Sequence, residues 1–389
     1  MALPVSYNLR NLFVRRVATL MTAGGIACVV AVFIVVLALA EGFRQSVSKS
    51  GSPENAILLR DGATSELSSA IDVEAFAMIR TLPGVAQDAD GQPLATGEVV
   101  LVINHPKLDD GEPTNVSARG VSANVMEVRP EVEIAEGRMF SPGSSEIIVG
   151  RALSQRIQDC QLGGVIRQVN RDWTVVGIFD AGDSAFESEI WGDVDVMRDA
   201  FKRRVYQSVT VRLENEGALE QIQARLADDP RLKTLQAKRE DAYYEEQAGP
   251  LSEFITYLGT AICIVMAVGA IVGAVNTMYA AVANRRREIG TLLAIGFGPF
   301  SVFLSFLFEC LLICFVGGVL GCLLAWPIDG VRTGTTNWQT FSEMAFPFRV
   351  TPELMGIGIL FALLMGLVGG VLPAYRAARQ PVVEALRRG

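Results

Sequence analysis

The chain has 389 residues, half of them apolar, with a mean hydropathy of +0.33 and a formal net charge of −8. That apolar content is too high for an ordinary soluble two-domain protein, and the acidity disfavours nucleic acid as a partner. The chain has a single histidine, His105, and no zinc-spaced Cys/His cluster, and a Ser–His triad is not expected.

Residues 1–17 form a basic cytoplasmic segment. Leu9, Leu12, Phe13, Val17 and Leu20 share one helical face, while Arg10, Asn11 and Arg15 lie elsewhere, which suits a helix lying in the membrane interface. The bland alternative is a simple basic flank. Residues 17–40 carry no charge, and a first span is expected over 18–40. Ala38-Leu39-Ala40 resembles a signal-peptidase site, but the uncharged run exceeds a signal core, so an uncleaved anchor is expected.

Residues 41–253 hold 36 of the 42 acids and 22 of the 34 bases, a net of −14. This segment reads as a soluble mixed α/β domain. Strands are expected at 56–60, 98–103, 116–121, 146–149, 173–179 and 208–213, and helices at 72–82, 152–157, 217–227 and 237–247. The pattern predicts two subdomains, the second inserted within the first. His105 precedes Pro106 in a predicted loop, and Asp109-Asp110 and Glu187/Glu189 read as acidic surface. Cys160 is the one cysteine outside the apolar segments, so no disulfide can form within this domain.

Three more uncharged or nearly uncharged segments follow. Spans are expected at 254–284, 299–327 and 354–375, with a cytoplasmic segment at 285–298, a short external loop at 328–353 and a cytoplasmic tail at 376–389. Arginines at 10, 15 and 16, at 285–287, and at 376, 379, 387 and 388 fall on one side of the four spans, which makes that side cytoplasmic and the 41–253 domain external. The fold class is therefore a membrane α-helical protein of four transmembrane helices, with a large mixed α/β extracytoplasmic domain between helices 1 and 2.

No phosphate-binding G-x-x-x-x-G-K-[ST] loop, G-x-S-x-G elbow or H-E-x-x-H motif is present, so no catalytic, cofactor or metal residue is assigned. In the cytoplasmic segment Ile289, Leu292, Leu293 and Gly296 share one apolar face. Such a short amphipathic helix can lie among lipid headgroups or dock into a groove on a soluble partner, and its composition allows both. Gly269/Gly273, Gly317/Gly321 and Gly366/Gly370 recur four residues apart, a spacing that lets helix backbones approach closely. Glu309 is the one acid within a span. A structural hydrogen bond to Asn276 in the second span is the expected role, ahead of a proton relay.

These residues resemble the MacB/FtsX-like family of ABC-transporter permeases along essentially the whole chain. The resemblance begins in Asn8-Leu9-Arg10-Asn11-Leu12 with Arg15-Arg16. It continues in Asn276, Arg285, Arg287, Glu288, Ile289, Gly290, Ala294 and Gly296, which match an N…R-x-R-E-I-G-x-x-x-A-x-G signature. Glu309 with Gly317-Gly318 and Gly321 is similar to the family's third span, and Pro373-Ala374, Ala377, Pro381 and Ala385-Leu386-Arg387 to its tail. In the external domain Gly137-Arg138-Met139-Phe140 and Val175-Val176-Gly177-Ile178 resemble the family's β-rich insert.

The resemblance implies a permease dimer, homo- or heteromeric, in the bacterial cytoplasmic (inner) membrane, working with a cytoplasmic ABC ATPase that binds ATP and Mg. The chain itself is then not an enzyme. Unlike the fused macrolide exporters it shows no ATPase domain, so a separate ATPase subunit is expected. Arg287, Glu288, Ile289, Gly290, Leu292, Leu293 and Gly296 are the expected coupling residues. Motion driven by ATP would pass through the spans to the external domain, which pushes or releases a substrate. Efflux would need a periplasmic adaptor, and lipoprotein release a soluble lipoprotein chaperone. The reading from another class is a membrane sensor or scaffold whose state an ATPase sets.

Overall fold

The computed structural model describes residues 16–337 and 341–381, so all but the last two residues of the interfacial helix expected over residues 1–17, and the end of the tail, lie outside the described residues. The chain divides into two compact units. One comprises Met1–Glu41, Glu253–Val331 and Phe348–Gly389, and the other Gly42–Ser252 with Arg332–Pro347.

In chain order, helix α1 (Arg16–Ser48) is followed by β1 (Asn55–Arg60), α2 (Val73–Ile79), β2 (Ala95–Pro106), β3 (Pro113–Val121), β4 (Glu133–Gly137), β5 (Glu146–Gly150), β6 (Val165–Gln168), β7 (Arg171–Asp180) and β8 (Glu189–Asp193). Then come α3 (Val194–Ala200), β9 (Ser208–Arg212), α4 (Ala218–Asp228), β10 (Leu235–Arg239) and the long helix α5 (Glu240–Asn284). The remaining elements are α6 (Arg286–Ala294), α7 (Pro299–Ala325), β11 (Arg332–Thr336), β12 (Glu343–Pro347) and α8 (Pro352–Ala378).

The helical unit holds segments of four helices that are long and apolar enough to cross a membrane: Thr19–Ser48, Glu240–Asn284, Pro299–Ile328 and Pro352–Ala378. Its core joins Ile26, Val30 and Ile34 of α1 to Phe306 and Cys310 of α7 and Met365 of α8. Between apolar helices in lipid, close packing replaces hydrophobic drive, and small residues supply it. A Cβ on Gly317 would lie 2.8 Å from the Ala23 carbonyl, and one on Gly321 2.7 Å from Val30 Cβ. Likewise Gly366 lies against Cys314 and Gly370 against Cys310. None of the four positions has room for a methyl group without movement of a neighbour, which is backbone or a β-branched side chain at Gly317 and Gly321 and a cysteine side chain at Gly366 and Gly370.

Gly269 and Gly273 differ. Among the described residues, no atom of another element lies within 4 Å of a Cβ built at either, so neither serves as a close-approach point between helices there. They sit on α5, whose most apolar window is the least covered of the four, at 22% buried. Gly321→Val is therefore expected to lower the thermal midpoint of the purified protein, at an overpacking cost of about 1–3 kcal/mol. Gly273→Val is expected to leave that midpoint unchanged. Equal losses from the two substitutions in a detergent thermal-shift assay would contradict this assignment.

The α/β unit is built on one sheet in the order β10-β1-β9-β2-β3-β8-β5-β7-β4, with β6 also on β7. Strand β2 changes partners along its length. Ala95 to Glu98 pair with β9, and Val99 to Pro106 pair with β3. Residues 113–193 thus form a half-sheet inserted between β2 and β9, and the long β2 carries one half into the other. The apolar core follows the sheet continuously, from Ala56 and Leu58 through Val99 and Leu101 to Ile147 and Val175.

Several expected elements change. Residues 235–239 are strand β10, paired with β1 in the register Ala56↔Arg239, and helix starts only at Glu240. Their alternation of Leu235 and Ala237 inward was masked by flanking charges. The helix predicted at 152–157 is a single turn, Arg151–Ser154. Strands β4, β6 and β8 were not foreseen. The predicted loop at 328–353 contains the hairpin β11–β12, which belongs to the α/β unit.

Candidate functional site

Helix α6 starts where α5 ends at Asn284. Arg285 sits at the junction with φ −111° and ψ 16°, outside helical geometry. That break turns its side chain inward, where Nη1 donates to Glu309 Oε2 of α7 at 3.0 Å, and both groups are buried. The partner expected for Glu309 was Asn276, and this is corrected: Asn276 lies on the exposed face of α5, and Arg285 takes its place. Glu288 lies 3.8 Å from the same guanidinium. At the other end Gly296 has φ +105°, a left-handed conformation that ends the helix and that glycine adopts without strain.

The faces of α6 are now assignable. Ile289 is 1% exposed and Gly290 is buried, and both contribute to the helical unit. Leu293 packs partly against the same core, and Leu292 is half-buried. Arg286, Arg287, Glu288, Thr291 and Ala294 are exposed, as is Ile295 at 71%. The expected coupling set therefore divides. Arg287, Glu288 and Gly296 are open to solvent, whereas Ile289, Gly290 and much of Leu293 are committed to the bundle and are not free to touch a partner. The apolar stripe that marks the helix in the sequence is the face that anchors it.

The α/β unit contains a second constellation that sequence reasoning missed. Arg119 of β3 bonds Glu66 and Glu98 at 2.7 Å each and Glu189 at 2.8 Å. Arg129 bonds Glu98 at 2.5 Å and Glu240 at 2.7 Å. All six side chains are less than 10% exposed. Both guanidinium groups lie near the Phe186 ring, at 5.3 and 4.9 Å from its centre. Ser208 donates to Glu66, Trp191 Nε1 to Glu189 and Asn55 to Glu240. Burying charges is costly unless the lone pairs find donors, and here the donors come from β1, β3, β8 and β9 and from Arg129, while the first turn of α5 supplies the acceptor Glu240.

The titration of these groups follows. Burial works to raise the Glu66 carboxyl, but Arg119 and the Ser208 hydroxyl outweigh it and hold it below the usual carboxylate range. For Glu240 burial wins over Arg129, and its carboxyl is pushed up. Burial acts to lower the Arg119 guanidinium, yet Glu189 and Glu66 hold it well above its ordinary value. Glu187 and Glu189, expected as acidic surface, are 1% and 7% exposed and are corrected to buried ion-pair members. The signal available in the sequence was an arginine in the middle of the apolar strand that runs from Val116 to Val121.

A family model described as MacB-like periplasmic core domain matches residues 19–229, more than half of the chain, and one described as FtsX-like permease C-terminal matches residues 260–382. The chain belongs to the MacB/FtsX-like family of ABC-transporter permeases.

Among the relatives of this MacB/FtsX-like permease is the macrolide export ATP-binding/permease protein MacB 1 of Yersinia pestis bv. Antiqua. It is 30% identical over 239 residues, covering 58% of this chain and 35% of that protein. The protein of the same name, MacB, from Shewanella oneidensis is 26% identical over 408 residues, covering 96% of this chain and 58% of that protein. The Bacillus subtilis ABC transporter permease YknZ, described as uncharacterized, is 23% identical over 403 residues and is covered to 97%, as is this chain. The chain thus spans 35% and 58% of the length of the two MacB relatives. The FtsX-like match contains α6, Arg285 and Glu309, so the anchored helix lies in the part of the permease that carries the family's C-terminal pattern. The MacB-like match contains Glu66, Glu98, Arg119, Arg129 and Glu189, which places most of the buried network in an extracytoplasmic domain of this family.

Proposed function

We propose that this permease couples a separate cytoplasmic ABC ATPase, which binds ATP and Mg, to movement of its extracytoplasmic domain in the bacterial inner membrane. The observation that supports this reading is the two-sidedness of α6. Its inner face is held by Ile289 in the core and by Arg285 on Glu309, while Arg287, Glu288, Thr291 and Ile295 are presented outward. A helix gripped on one side and offered on the other passes a push into the spans rather than rolling. The exposed Ile295 supplies an apolar anchor and Arg287 a charged one, the residue types that dominate helix-in-groove docking. The permease works as a dimer, and its task is export or extraction of a substrate by force on the external side.

The test is co-reconstitution with the ATPase that co-purifies in mild detergent. Ile295→Asp is expected to reduce permease-stimulated ATP hydrolysis about tenfold, as loss of ~1.4 kcal/mol of docking requires, with insertion and thermal midpoint unchanged. Leu293 is the poorer probe, because an acid there also meets the bundle core. Full stimulation by the Ile295→Asp permease would rule out α6 as the docking element.

A further inference from the structure

The chain passes between the helical unit and the extracytoplasmic domain at four places: after Glu41, after Ser252, after Val331 and after Pro347. The first two passages serve one half of the sheet. Helix α1 leads into β1, and β10 leads directly into α5, with β1 and β10 paired. The other two passages serve the hairpin β11–β12, which connects α7 to α8.

That hairpin does not attach where β1 and β10 lie. Arg332 bonds Glu187 at 2.9 Å and Asp183 at 2.6 Å. Glu343 pairs with Arg156, lies 3.5 Å from Lys107 and accepts from Thr114 at 3.1 Å. The backbone N–H of Ala345 donates to Ser188 Oγ at 2.9 Å. All of these partners fall between residues 107 and 188, beyond the point in β2 where the inserted half-sheet begins. Met344, Ala345 and Phe346 are buried, and Phe346 also meets Phe43 edge-on. Burial pushes the Glu343 carboxyl up, but the Arg156, Thr114 and Lys107 contacts outweigh it and hold it below its usual range. A hairpin this polar at its rim and this buried along β12 is a built attachment.

We propose that Arg332 and Glu343 are positioning residues for transmission: they fix the α7–α8 hairpin to the inserted half of the domain, so that the third and fourth spans act on that half directly. This rests on the coupling reading above and adds to it. Helix α5 also reaches the inserted half, through Glu240 on Arg129, and α1 reaches the hairpin through Phe43 on Phe346. The hairpin therefore adds α7 and α8 to the spans that already hold this half, and without it they would have no grip there.

The test uses the full permease in lipid nanodiscs, with its ATPase where hydrolysis is read. Glu343→Arg is expected to speed hydrogen exchange of the β11 and β12 amides about tenfold or more, since local opening is set by such attachments. It is also expected to uncouple ATP hydrolysis from substrate several-fold. The swap Glu343→Arg with Arg156→Glu is expected to restore both. As a second arm, an Ala345→Cys/Ser188→Cys pair is closed by oxidation. Cys160 will not compete, because it is buried and its thiol is pushed up to about 12.

A closed bridge that leaves coupled hydrolysis intact supports a permanent tie. A closed bridge that abolishes it, with recovery on reduction, shows that the hairpin must leave the domain and overturns the proposal. So does unchanged hairpin exchange in Glu343→Arg, or a swap that restores nothing. The exchange measurement needs no ATPase. If Ile295→Asp in parallel leaves hydrolysis untouched, the docking assignment of α6 fails while the exchange result still decides whether Arg332 and Glu343 hold the hairpin.

Discussion

Arg119→Met is expected to be the most damaging single change in the extracytoplasmic domain, at about 3–5 kcal/mol, because it removes one partner of a buried ion network and strands the rest. It takes a guanidinium from Glu66, Glu98 and Glu189 together and leaves Arg129 to serve four carboxylates. Domain stabilities are typically about 5–15 kcal/mol, so the loss is a large part of the total. Urea unfolding of the full chain in nanodiscs, followed by fluorescence of the tryptophans, will report it, since Trp191 itself donates to Glu189. Arg167→Met is the control. Arg167 pairs with Asp172 on the surface, and its loss should not move the midpoint. Similar midpoints for the two variants would show that the network contributes no more than a surface pair.

The same network sets a pH dependence whose sign can be worked out. Glu66 is held below the usual carboxylate range, so its contribution is present at neutral pH and is lost as pH falls through its lowered value. Glu240 is raised, so its contribution is present in acid and is lost as pH rises through its raised value. The two oppose each other. Acid weakens the grip on the turn that holds Glu66 while relieving the cost of ionised Glu240 at the start of α5.

Arg285→Met carries the second large effect. It takes the guanidinium from Glu309, and an uncompensated acid within a span costs roughly 3 kcal/mol. Glu309→Leu is expected to be milder, because a long arginine near a helix end can turn its head towards water. The double variant Arg285→Met/Glu309→Leu is expected to recover most of the thermal stability yet fail to restore ATPase stimulation, since the pair also fixes the start of α6. The measurement is a double-mutant cycle on the thermal midpoint, read alongside hydrolysis in proteoliposomes. Additive losses in stability would show that Arg285 and Glu309 do not act as a pair.

What was legible in the sequence was whatever is set by local composition. Uncharged runs revealed the four spans, and strands such as β7 and β9 showed themselves by alternation. Helix α6 showed itself by its stripe at Ile289, Leu292 and Leu293, but the stripe alone left its neighbour open between lipid and a soluble partner. A periodic apolar face says that something covers it, and here the covering is the chain's own bundle. Partners chosen at a distance were not legible. Glu309 and Arg285 are 24 residues apart across a helix break, and Arg119 meets Glu66 over 53. Strand β8 reads Glu-Ile-Trp-Gly-Asp, and its charged ends hid a fully buried strand whose acid is satisfied by Arg119 and Trp191.

The hairpin also orders events during synthesis. The strands from β1 to β10 are made and translocated before α5, α7 and then residues 332–347 appear. Some 80 residues separate the end of the domain's main segment from its last two strands, which at about 5–20 residues per second is several seconds of translation. Over that interval Glu187, Asp183 and Arg156 wait without Arg332 and Glu343, and the surface that β12 will cover is open. The domain can therefore reach its final form only after the third span has been delivered to the membrane. A permease whose later spans stall is left with a domain that lacks β11 and β12, so completion of the domain outside reports completion of the bundle within the membrane.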